Sequence, residues 1–293
     1  MKTLLRALIL AVLVATAAQA QDTLKVLLID GQSNHAAWPK TSPMIIQILE
    51  GSGLFDVTLS RTPPEDGRKA DYSKGQPTVE DMPAELQAEW AKWQPDFSQF
   101  DVVVSNYNGV VWSEPLRTAF VDFVRNGGGF VSIHAADNAF AQWKEYNEMI
   151  GVGGWYGRNE KDGPAIYWEN GALVRDPSPG KGGSHGKRSE VLVENRNPQH
   201  PIMAGLPEAW LHPADEVYCN MRGPAENITV LATAMSDAAN GGSGKEQPIL
   251  LALSYGKGRV FHEMLGHDEL AFTGVGFQNT LIRGTEWAAT GKV

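Results

Sequence analysis

A chain of 293 residues that is 42% hydrophobic, 20% charged and 9% aromatic has the composition of a folded protein, which excludes disorder, collagen-like repeats and coiled coil. Its 25 Lys and Arg against 34 Asp and Glu leave a formal charge of −9, and an acidic chain without a basic cluster argues against nucleic acid as a partner. One cysteine and seven histidines exclude a disulfide framework and a multi-cysteine zinc site.

At the amino terminus, Lys2 and Arg6 surround the start of an almost wholly apolar run from Ala7 to Ala18, and Ala18-Gln19-Ala20 supplies small residues for cleavage. Residues 1–20 are therefore expected to be a signal peptide, with export to the periplasm or the exterior. The run is about 12 residues, too short for the roughly 20 of a bilayer span, so no stable membrane span is expected. A retained amino-terminal anchor is the other reading. Cys219 is expected to be a buried, unreactive thiol, because no Gly-rich elbow surrounds it.

Beyond the leader, residues 24–31 predict a buried strand running into a loop, residues 43–50 a helix, and residues 55–59 a second strand. Residues 62–75, rich in Pro, Asp and Gly, predict a loop, and residues 101–105 a third strand. Ser113 is a good N-cap, with Glu114 and Pro115 in the first turn of a helix that stops at Gly127-Gly128-Gly129. A fourth strand at 130–133 and a helix at 138–149 complete an alternation that predicts βαβ units and a parallel sheet. Residues 151–198 are rich in glycine and charge, and read as an insertion beside the sheet edge within a single domain spanning 21–293. Strands follow at 228–232, 249–254 and 259–264, the last two joined through a hairpin turn at Tyr255-Gly256-Lys257-Gly258. A closing helix is predicted over 276–289. The expected fold class is α/β, a mostly parallel sheet with helices on both faces.

Three histidines follow predicted strands: His35 after the first, His134 after the fourth and His267 after the last. In an open parallel sheet these positions lie on the rim where ligands bind. Neutral imidazole serves as a general base or as a ligand for zinc, nickel or iron. Asp137, Asp215, Glu216 and Asp268 are candidate carboxylate partners. His262 is expected to be structural, His185 and His200 to be ordinary loop residues, and His212 is left open. The spacing of His262 and His267 is five rather than four, so the HExxH zinc helix is excluded. Phosphate-loop and dinucleotide-fingerprint patterns are also missing, and no GxSxG elbow joins a predicted strand to a predicted helix. Of the nine tryptophans, Trp38, Trp112, Trp155, Trp168 and Trp210 fall in predicted loops, where stacking on sugar rings competes with plain packing as their role.

A set of short motifs, in order, resembles the ThuA-like (trehalose utilisation) family. They are Gly31-Gln32-Ser33-Asn34-His35, Gly127-Gly128-Gly129-Phe130-Val131-Ser132-Ile133-His134, Trp143-Lys144-Glu145-Tyr146, His200-Pro201-Ile202 and Asp215-Glu216-Val217-Tyr218. Gly256-Lys257-Gly258-Arg259-Val260-Phe261, Gly266-His267-Asp268 and Trp287-Ala288-Ala289 complete the set. The resemblance runs from about Leu24 to the end and implies a flavodoxin-like fold related to class I glutamine amidotransferases. Those enzymes place a cysteine at the strand-to-helix elbow; here His134 stands there, so glutamine hydrolysis does not carry over. What the resemblance implies is carbohydrate metabolism, notably of disaccharides oxidised to 3-keto sugars.

The expectation is thus a carbohydrate-active protein with His134, His35 and Glu216 as catalytic groups. His35, His134 and His267 are the candidate ligands of a divalent transition metal, zinc foremost. Asn34, Asp137, Trp155, Asp215 and Asp268 are the candidate substrate contacts. A non-catalytic carbohydrate-binding protein is the alternative, and a peptidase or amidase lacks a positioned nucleophile.

Overall fold

The computed structural model describes residues 23–64 and 75–293; the expected signal peptide and most of the loop expected at 62–75 lie outside the described residues. The elements run β1 (Leu24–Asp30), α1 (Trp38–Gly51), β2 (Phe55–Arg61), α2 (Ala84–Trp90), β3 (Val102–Ser105), α3 (Glu114–Arg125), β4 (Gly129–Ile133) and α4 (Lys144–Ile150). They continue with β5 (Ala165–Glu169), β6 (Ala172–Asp176), β7 (Ser184–His185), β8 (Ser189–Asn195), β9 (Ala209–Asp215) and β10 (Tyr218–Cys219). The chain closes with β11 (Ile228–Met235), β12 (Glu246–Tyr255), β13 (Gly258–Glu263) and α5 (Val275–Thr290).

The main sheet has the order β2-β1-β3-β4-β13-β12-β11-β8-β9, and β5 with β6 joins it through β12. The strands from β2 to β13 pair in parallel, whereas those from β13 to β9 pair antiparallel. β3 and β4 are buried at every position, the uninterrupted apolar run that a parallel strand covered on both faces requires. Alternation along the pleat sorts the core into two layers. Phe130 of β4 packs against Phe120 of α3 and Tyr146 of α4. On the opposite face, Phe261, the register partner of Val131, lies under α5, so close to Gly284 that a Cβ there would sit 2.1 Å from the ring.

Several boundaries differ from the sequence expectation. Helix α1 starts at Trp38 with a proline in its first turn, so Pro43 lies inside it. The helix expected from Asn138 is displaced: His134–Asp137 form one 3₁₀ turn, and α4 begins at Lys144. The segment 151–198 contains four strands, of which β8 enters the main sheet between β11 and β9, while β7 pairs with β10 in a separate two-stranded ribbon. Tyr255 pairs with Gly258 across a two-residue turn, as the hairpin motif predicts. No helix among the described residues is long and apolar enough to cross a membrane.

Candidate functional site

The carboxyl ends of β1 and β4 deliver the first two site residues. Beyond β1, the loop is pinned by Gln32, whose amide donates to Pro63 O at 2.7 Å and whose carbonyl accepts from Val110 N at 2.9 Å. His35 follows, with its backbone N–H held by Ser33 Oγ at 3.1 Å. His134 takes a left-handed backbone, with φ +44°, a conformation that costs a non-glycine residue on the order of 1–3 kcal/mol and concentrates at functional sites. The turn aims its ring across the sheet end, where Nδ1 lies 2.8 Å from Met264 O.

That contact determines the tautomer. A carbonyl oxygen only accepts, so Nδ1 carries the hydrogen and Nε2 presents a lone pair. Burial holds the His134 pKa down to about 4, with neighbouring His267 and His185 adding to the effect and Asp215 and the Met264 carbonyl opposing it. The ring is therefore neutral at pH 7 and accepts the Tyr218 hydroxyl hydrogen at 2.8 Å. The Tyr218 oxygen then accepts from His35 Nε2 at 3.2 Å. Burial, followed by the charges His134 and His267 would carry, lowers His35 to about 3. Both imidazoles are thus kept as bases rather than cations.

The carboxylate comes from the antiparallel half. Asp215, fully buried at the end of β9, accepts from His212 Nε2 at 3.0 Å, Gly266 N at 2.8 Å, His267 N at 3.2 Å and Glu216 N at 2.8 Å. Burial disfavours its charge, but the His212 hydrogen bond and nearby histidines outweigh this and keep its pKa below the usual value. This single side chain orients the backbone of both Glu216 and His267. Glu216 Oε2 is buried without a hydrogen-bond partner and lies 3.9 Å from His134 Nε2. Its Oε1 is 3.4 Å from His267 Nε2 and 3.6 Å from His185 Nδ1. Burial raises the Glu216 pKa, partly offset by His267 and His185.

One donor atom from each of His35, His134 and Glu216 lies within 4.8 Å of the others. The rings of His35 and His267 meet edge to face at 4.6 Å, and those of His35 and His134 at 4.7 Å. Three strand-end histidines therefore converge, but the tightest donor set replaces His267 with Glu216. Above it opens a cavity of about 840 Å³ lined by Asn34, His35, Trp155, His185, Glu216 and Tyr218, among others.

The remaining expected contacts sort by what they touch. Asn34 and Trp155 line the cavity. Asp137 does not; it is fully buried with one carboxyl oxygen 3.1 Å from His262 Nε2, while His262 Nδ1 donates to Ile150 O. Asp215 likewise faces its four donors instead of a ligand, and Asp268 pairs with Arg188 at 2.6 Å. Of the five tryptophans expected in loops, only Trp155 lines this cavity; Trp112 is core. Cys219 is completely buried, as expected.

Two site residues lay outside the expected set. His185, expected to be an ordinary loop residue, lines the cavity because β7 pairs it with Tyr218 of β10. Tyr218 itself follows Glu216 by two, the spacing that places two residues on one face of an extended strand.

The fold and site thus define an α/β protein that collects histidines and a carboxylate at the ends of its sheet strands, with His134 and no thiol at the turn after β4. The chain belongs to the ThuA family, described as trehalose utilisation, whose model matches residues 25–288. A ThuA-like protein from Parabacteroides merdae is 44% identical, with a TM-score of 0.81 over 93% of this chain and 92% of that one. Another from Bacteroides uniformis shares the fold at 19% identity, with a TM-score of 0.58 over 93% of this chain and 94% of that one. Among curated proteins, none matches the chain.

Proposed function

We propose that the protein is an exported enzyme acting on a sugar or glycoside that carries a ketone, at a divalent transition-metal site formed by His35, His134 and Glu216. The carrying observation is the convergence of two imidazoles and one carboxylate within 4.8 Å, with His35 and Glu216 of that set lining a cavity and His134 buried behind them. The donor set fits a metal: the two rings are held neutral by burial, and buried Glu216 Oε2 has no other partner. Two imidazoles with a carboxylate suit zinc, manganese or iron. Bound there, such an ion would polarise a carbonyl oxygen.

A ketone beside a ring carbon acidifies the neighbouring C–H, and a general base is then needed in the same cavity. His185 supplies it. Its Nδ1 donates to Gly186 O at 2.8 Å, which leaves the lone pair on Nε2, and its ring lines the cavity. Proton removal and return by this base would give elimination or isomerisation of the keto-sugar. The family description supports a carbohydrate substrate, Trp155 offers a stacking surface, and the amino-terminal pattern supports export.

Elemental analysis of the purified protein, with turnover of keto-glycosides by wild type and His134→Ala, tests this reading. Near-stoichiometric metal that is lost with His134, together with lost turnover, is the expected result. Sugar binding with neither metal nor turnover would instead make the protein a carbohydrate-binding module.

A further inference from the structure

We infer that Asn34 is a substrate-reading donor of the cavity, and that Gln76 and Asn108, buried behind it, are positioning residues that keep its amide NH2 turned outward. This rests on the sugar reading above and specifies which kind of sugar atom is read there. Two backbone atoms determine the orientation of every amide in the chain. Phe140 N–H only donates and Gly109 O only accepts; the first meets Gln76 Oε1, and the second lies 2.8 Å from Gln76 Nε2. The other Nε2 hydrogen goes to Asn108 Oδ1 at 2.8 Å. Asn108 is left to donate, and its Nδ2 reaches Asn34 Oδ1 at 2.7 Å and Tyr156 Oη at 3.0 Å.

Polarity is thus handed outward through two buried side chains, Gln76 and Asn108, to one exposed amide. Asn34 lines the cavity together with His35. Its carbonyl oxygen is engaged, and its Nδ2 makes no hydrogen bond among the described residues. Turning the amide over would set Nδ2 against Asn108 Nδ2, donor against donor, and forfeit a bond whose other half is buried. Asn34 therefore stays a donor. The cavity takes a sugar that presents a lone pair at this position, as a ketone or hydroxyl oxygen does. It refuses one that presents an ammonium group, which only donates.

Trehalose, its 3-keto form, and its monodeoxy and monodeoxyfluoro derivatives are the probes, because fluorine still accepts where hydrogen does neither. In equilibrium binding to the full chain, wild type should show a ring position where hydrogen in place of hydroxyl weakens binding about 10-fold or more, and where fluorine restores most of the loss. Asn34→Leu should bind the parent sugar about 10-fold more weakly and lose the discrimination at that position alone. Asn108→Asp, whose carboxylate accepts where the amide donated, should turn Asn34 over and give the same loss without touching the sugar. If Asn108→Asp misfolds, Asn34→Leu at its exposed position decides. Equal discrimination in wild type and Asn34→Leu overturns the inference and leaves the metal reading standing. The expected pattern in protein that holds no metal supports the inference and overturns the metal reading alone. Wild type that binds neither trehalose nor its 3-keto form overturns the sugar reading and the inference together.

Discussion

The two halves of the sheet contribute to the site by different means. In the parallel half, β1 and β4 end at the rim and pass directly into His35 and His134, so the backbone topology alone puts both rings there. In the antiparallel half no strand end aims a side chain so simply. Glu216 and His267 are held by the buried carboxylate of Asp215, and His185 arrives by pairing with Tyr218 in a separate ribbon. One half positions by strand direction, the other by a hydrogen-bonded hub. The difference predicts that substitutions in the parallel half remove chemistry, whereas substitutions at the hub dismantle geometry.

The largest effect is expected at His134. Replacing it with alanine should lower turnover about 10³-fold or more and reduce bound metal below stoichiometry, while the denaturation midpoint changes little. A variant that unfolds easily instead would erase the distinction between the halves. Asp215→Ala tests the other side. It leaves His212 and three backbone N–H groups without their acceptor, a loss of about 3 kcal/mol or more in urea unfolding. Site geometry should fail with it, since Glu216 and His267 both depend on that carboxylate. Full stability in Asp215→Ala would show that the hub is dispensable.

How much of this was legible in the sequence follows the same division. The strands of the parallel half are continuous apolar runs ended by loops, so their parallel character and the rim placement of His35 and His134 could be read from pattern alone. The elbow at His134 could not, because a single left-handed residue followed by a 3₁₀ turn leaves no periodic trace, and the helix was expected to start at Asn138. Asp137 and Asp215 were visible as acids near histidines, but local sequence does not say whether a carboxylate faces a ligand or a buried donor. For both, burial decided against the ligand. His185 was passed over for a further reason. Its place depends on the Tyr218 pairing between segments far apart in the chain, and short two-residue strands carry almost no signal.

Strand β13 is the seam, parallel to β4 and antiparallel to β12, and it ends in a buried acid. Glu263 Oε1 accepts from Leu265 N at 3.2 Å, and Oε2 lies 3.0 Å from Thr280 Oγ1. Thr280 has one hydroxyl hydrogen, and Phe277 O also lies 3.0 Å away; if that carbonyl takes it, Glu263 must donate. Burial raises the Glu263 pKa well above its ordinary 4.5, against the lowering effect of the Thr280 and Leu265 contacts. The folded state therefore keeps a proton that the unfolded chain releases above about pH 4.5. With more protons bound in the folded state, stability is full below that pH and falls as pH rises toward the folded pKa, by about 1.4 kcal/mol per unit. Glu263→Gln, whose amide can donate in the same place, should flatten that part of the profile and stand above wild type at pH 7. Identical urea midpoints at pH 5 and 8 for both proteins would contradict a protonated seam.

The smallest expected effect sharpens the cavity wall. Gly183 has φ +83°, and a Cβ there would lie 2.5 Å from Trp155 N and 2.7 Å from the Trp155 ring. Trp155 N in turn donates to Gly182 O at 2.9 Å, so the two strands of wall cannot part without losing that bond. Gly183→Ala must strain the left-handed backbone and push the Trp155 loop outward, at a cost of about 1–2 kcal/mol. His35 and His134, carried by the parallel half, should stay in place. Metal stoichiometry should then survive while ligand affinity falls and the Trp155 contribution to fluorescence shifts. Loss of metal in Gly183→Ala would mean that the wall and the histidine floor are mechanically one unit, and the division between the halves would not extend to the cavity.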